Sequence, residues 1–65
     1  MNLRELRFQK NLIQHDLQLK SGIPQSRISL IERGYVVPTD SERARIAKAV
    51  GVRPEDLDFA LREVD

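Results

Sequence analysis

Residues 14–34 read QHDLQLKSGIPQSRISLIERG, and the fold of the whole chain turns on how that stretch is read. It predicts two short helices, over about residues 14–20 and 25–33, joined by a tight turn at Ser21-Gly22-Ile23. Asp16 falls in the first turn of the earlier helix, where the helix dipole favours an anion. The residue in its capping position, Ile13, has no side-chain acceptor, so backbone N–H groups there must find water, Asn11 or an external oxygen. Gly22 permits the positive φ of a sharp turn, and Ile23 points back into the core. The later helix starts at Pro24 or Gln25, since proline suits a helix start. At about 100° per residue, Ile28 and Ile31 share an inward side with Glu32 beside them. Ser26, Ser29, Leu30 and Arg33 lie opposite, with Gln25 at the edge. A helix that needed only solubility would carry Lys and Glu there. Short hydrogen-bonding side chains and one exposed leucine suit close approach to a partner.

Outward from this pair, the flanking sequence supplies caps and core. Asn2 can cap a first helix that presents Leu3 and Leu6 on one side and runs to Lys10, with Asn11 taking the left-handed turn that stops it. Gly34 ends the third helix, and Tyr35-Val36-Val37-Pro38 forms a loop. Thr39 and Glu42 make a capping box for a fourth helix through Val50, with Ile46, Ala47 and Val50 as its buried stripe and Gly51 as its stop. Val52 returns to the core. Pro54 opens a fifth helix with Leu57, Leu61 and Val64 on one side and Phe59 and Ala60 nearby. Five short helices with brief connections predict one compact all-α domain over residues 1–65.

Composition narrows the function. The chain has 65 residues, no Cys and one His, which excludes a disulfide staple and a structural zinc site and leaves stability to an apolar core. No apolar run approaches a membrane span and no signal-peptide pattern follows Met1, so a soluble, cytoplasmic protein is expected. The formal charge of +1 is unevenly spread. Residues 1–38 carry six basic and three acidic side chains, and residues 39–65 carry five basic and seven acidic ones. A basic front suits an anionic partner. A single His, the absence of a glycine-rich phosphate loop and the lack of a paired acid cluster argue against catalysis. No metal, cofactor or small-molecule ligand is expected.

The motifs L-R at 6–7, Q-x-x-L at 14–17, G-I-x-x-x-x-I-S at 22–29, I-E-x-G at 31–34, Pro38 and I-A-x-A-V-G-V at 46–52 are each common alone. Their joint order resembles the lambda-repressor/Cro-like (XRE-type) helix-turn-helix domains over about residues 2–59. The resemblance implies a five-helix fold whose third helix lies in the DNA major groove while the second crosses the backbone. By the same match, Gln14 hydrogen-bonds phosphate and steadies the reading helix. Gln25, Ser26, Ser29 and Leu30 fall where relatives touch base edges. Gln can address adenine, Ser several bases, and an apolar side chain the thymine methyl. Arg27 and Arg33 flank that face and are candidates for phosphate contact. Arg7 and Glu32 match an ion pair that ties helix one to helix three.

The sequence also departs from that pattern. Ile13 replaces the usual Ser or Thr before Gln14. Gln18 replaces the usual small residue after Leu17, so it must swing outward or the helices must shift. Pro24 replaces a frequent Ser or Thr cap, and Tyr-Val-Val follows Gly34 where many relatives are basic. The expected activity is sequence-specific binding of double-stranded DNA by a transcriptional regulator, a repressor by analogy with compact relatives. It is expected to act at the nucleoid as a dimer on an inverted repeat, with a homodimer contact through Leu61 and Val64. The alternative is a protein-interaction module on the same fold, such as the antitoxin of a toxin pair. The chain has no room for an inducer-binding domain, so it acts by itself or is an excised DNA-binding domain.

Overall fold

A computed structural model describes residues 2–59. They form α1 (Leu3–Gln9), α2 (Gln14–Ser21), α3 (Gln25–Glu32), α4 (Asp40–Val50) and a 3₁₀ turn, Pro54–Asp56. Helices this short are marginal alone in water, so their ends and their buried faces have to hold them.

The starts are secured in different ways. The Glu5 amide donates to Asn2 Oδ1 at 2.8 Å, capping α1. The Glu42 amide donates to Thr39 Oγ1 at 3.1 Å while the Thr39 amide donates to Glu42 Oε1 at 2.9 Å, closing the capping box of α4. At α2, where Ile13 offers no acceptor, Asp16 supplies the return half of such a box by accepting from the Ile13 amide at 3.0 Å. The stops share one device, a left-handed residue just past the last turn. After α1 it is Asn11 at φ 56°, with the Asn11 amide bonded to the Phe8 carbonyl and the Leu12 amide to the Arg7 carbonyl. Gly34 and Gly51 close α3 and α4 with the same bond pattern.

The turn between α2 and α3 has a glycine for two reasons. Gly22 sits at φ 74°, and a Cβ there would come within 2.8 Å of Arg45 Nη2. Arg45 is held against the turn because its Nε donates to the Ser21 carbonyl at 2.8 Å. Ser21 itself is buried, donating to the Leu17 carbonyl and accepting from the Ile23 amide.

The core takes one stripe from each helix: Leu3 and Leu6, Leu17, Ile28 and Ile31, then Ile46, Ala47 and Val50, with Ile23 and Leu57 from the connections. Each of these is at most 4% exposed, and each large aliphatic side chain so buried stabilises the fold by roughly 1.5–3 kcal/mol relative to exposure. Leu12, Val36, Val52 and Phe59 pack on the margin of this core.

The C-terminal region differs from expectation. Among the described residues, the expected fifth helix is represented by a single 3₁₀ turn, and Leu57 beyond it is extended, at φ −98° and ψ 130°. Its carbonyl accepts from Arg43 Nη2 at 3.4 Å. Asp58 pairs with Asn2 in a parallel bridge, and the Arg43 guanidinium lies 5.5 Å from the centre of the Phe59 ring. Leu57 is buried as the apolar spacing implied, but on extended backbone. Ala60, Leu61 and Val64, and with them the expected dimer contact, lie outside the described residues.

Candidate functional site

The site begins with what fixes α3 in place. Ile28 and Ile31, three residues apart, put one side of the helix into the core. Beside them Glu32 joins three helices. Its Oε2 accepts from Arg7 Nε at 2.8 Å, and its Oε1 from Arg7 Nη2 at 3.1 Å and from Gln14 Nε2 at 3.2 Å. Arg7 completes its bonding by donating from Nη1 to the Leu12 carbonyl at 2.9 Å. The two charged side chains are only 9% and 4% exposed, so α1, α2 and α3 meet on one desolvated ion pair. The expected Arg7–Glu32 pair is present with two-pronged geometry, and Gln14 belongs to it.

With the inner side fixed, the outer side of α3 follows from the helical period. Gln25, Ser26 and Arg33 are exposed, and Ser29 and Leu30 are half-buried. Leu30 is therefore less open than the outward wheel position implied. Arg33 lies over the Tyr35 ring at 5.2 Å, and Arg4 over the Phe8 ring at 5.5 Å. Ser29 and Arg33 share an open concavity with Arg4, Arg7, Gln14 and Glu32. Glu32 neutralises Arg7 there, while Arg4 and Arg33 form no ion pair with a described residue, so the rim is cationic.

Gln14 keeps donor capacity despite its bond to Glu32, because the carboxamide nitrogen carries two hydrogens. Arg27, on the flank of α3, has a protein partner. Its Nε and Nη2 donate to Glu42 Oε2 and Oε1 at 3.1 and 3.0 Å, which turns the guanidinium toward the start of α4. Arg27 and Thr39 together hold the Glu42 carboxyl well below the usual range, down to about 2.

Sequence reasoning did not find three of these partners: Glu42 for Arg27, Arg4 at the concavity, and Gln18. Gln18 Oε1 accepts from the Gln25 amide at 2.7 Å, so the side chain is tied to the start of α3. A signal was available, since Gln18 and Pro24 depart from the family pattern together. Among the described residues no group of three or more His, Cys, Asp or Glu side chains could hold a metal ion, and no helix is long and apolar enough to cross a membrane.

Residues 3–57 match the family described as helix-turn-helix. The chain is also similar to a protein of Sinorhizobium fredii (strain NBRC 101917 / NGR234) named as an uncharacterized HTH-type transcriptional regulator, y4dJ. The two are 36% identical over 56 residues, which is 86% of this chain and 73% of the relative. No solved structure matches the chain.

Proposed function

Because the chain belongs to the helix-turn-helix family, we propose that it binds double-stranded DNA in a sequence-specific manner as a transcriptional regulator, most simply a repressor in the cytoplasm at the nucleoid. The observation that carries this reading is the outer face of α3, where short polar side chains at Gln25, Ser26 and Ser29 stand beside a cationic rim at Arg4 and Arg33. In this arrangement α3 enters the major groove and offers Gln25, Ser26, Ser29 and Leu30 to base edges. Gln14 and Arg33 grip the flanking phosphates. Arg27 is left out of that set because Glu42 holds its guanidinium. The protein binds as a dimer on an inverted repeat, and nothing in the proposal requires a cofactor or catalysis.

Selection from a random duplex library at near-physiological salt, followed by the salt dependence of the best site, tests the proposal. The expected result is a palindromic motif with half-sites roughly ten base pairs apart. Affinity should fall steeply with salt as counterions are displaced. Absence of any enriched motif together with a shallow salt response would overturn it, and would favour a protein partner of the antitoxin kind.

A further inference from the structure

Gln14 and Gln18 stand four residues apart on α2 and so share one face of that helix. Gln14 reaches Glu32, the last residue of α3, at 3.2 Å, and Gln18 reaches the amide of Gln25, the first residue of α3, at 2.7 Å. α2 therefore holds α3 at both ends. These bonds act at the two ends of a helix whose middle is held by Ile28 and Ile31 in the core and by Arg27 on Glu42. The second anchor sits where it is needed. The cap residue of α3 is Pro24, with no side-chain hydrogen bond to offer, and the first amides of a helix have no partner within it.

We infer that Gln18 is a positioning residue for recognition. By binding the first amide of α3 it sets the angle at which the Gln25 side chain is presented, and it couples the helix at the DNA backbone to the helix that reads bases. This rests on the DNA-reading role proposed above. Gln18 itself makes no base contact in this scheme and acts through Gln25.

Two substitutions separate positioning from stability. Gln18→Met keeps the length of the side chain and removes its acceptor. Gln18→Glu keeps an acceptor at the same reach, in a place where the helix dipole favours an anion. In Gln18→Met the Gln25 amide, followed by hydrogen exchange in the free protein, should exchange roughly fivefold faster, in line with loss of a helix cap. Selected duplexes should then lose roughly tenfold discrimination at the base pair read by Gln25 and keep their preference at the one read by Ser29. In Gln18→Glu the amide stays protected and the preference is kept, while affinity falls evenly across sequences because an anion has been added near phosphate. A Gln25 amide as well protected in Gln18→Met as in the wild type overturns the inference. So does a faster amide with unchanged base preference, which reduces Gln18 to a stabilising cap. A wild-type chain that enriches no duplex, while Gln18→Met frees the amide, upholds the anchor and overturns the DNA-reading role instead.

Discussion

Arg27 and Glu42, 15 residues apart in the chain, join the flank of α3 to the first turn of α4 through two parallel hydrogen bonds. The same carboxylate accepts from the Thr39 amide. One side chain thus serves as the capping-box acid of α4 and as the strut that keeps α3 beside it.

That double use gives the domain an acid-sensitive joint. The Glu42 carboxyl is lowered from its usual value of 4.5 to about 2, first by Arg27 and then by the Thr39 amide. A carboxyl with a lowered folded-state value contributes stability that is complete above about 4.5 and is lost as pH falls toward 2. Urea unfolding across that window should show stability declining. Glu42→Gln should lower the melting temperature at neutral pH by several degrees and flatten the decline. An acid limb as steep in the variant as in the wild type would assign the effect to other carboxylates.

Glu32→Ala leaves the Arg7 guanidinium buried without its partner. Removing one member of a buried pair costs roughly 3–5 kcal/mol, a large share of the roughly 5–15 kcal/mol that holds a small domain together. Chemical denaturation should find the variant barely folded at 37 °C. An unchanged midpoint would mean that the pair contributes nothing.

Ser29 is half-buried on the outer side of α3 and lines the same concavity as Glu32. Ser29→Glu adds a second anion on the proposed DNA-facing side while leaving the core residues untouched. Affinity for the selected duplex should fall by roughly a hundredfold or more, with far-ultraviolet circular dichroism unchanged. Retained binding would move the reading face elsewhere.

Gly22 and Gly51 have nearly equal positive φ angles, 74° and 75°, yet only at Gly22 does an added Cβ crowd a neighbour, Arg45. Both alanine variants pay roughly 1–2 kcal/mol for the left-handed backbone. Gly22→Ala should be the less stable, because Arg45 must also give way and strain its bond to the Ser21 carbonyl. Equal thermal shifts would show that the arginine moves aside freely.

Local signals are legible in the sequence. The Asn2 cap, the Thr39–Glu42 box, the left-handed Asn11 and the stripes of α1, α3 and α4 each depend on residues within a few positions of one another. So did the placement of α2 and α3, with Gln25, Ser26 and Arg33 turned outward. Pairs distant in the chain were harder. The Arg7–Glu32 pair was legible only through family resemblance, and nothing in the spacing of Arg27 announces Glu42. Gln18 and Pro24 looked like two separate blemishes because the bond between Gln18 and Gln25 spans a turn that periodicity does not see. Pro54 and the spacing of Leu57, Leu61 and Val64 suggest a helix, yet within the described residues the Leu57 carbonyl accepts from Arg43 and Asp58 pairs with Asn2. Apolar spacing carries no information about either contact.

The second glutamine of α2 grasps the main chain at position 25 and not its side chain. Any residue with a backbone N–H could occupy that position and still be gripped. The side chain at position 25 is thus exchangeable while the frame that aims it stays put. On the proposed reading face, substitutions at the exposed positions 25 and 26 would change the DNA sequence preferred while the bond that sets the start of α3 is kept.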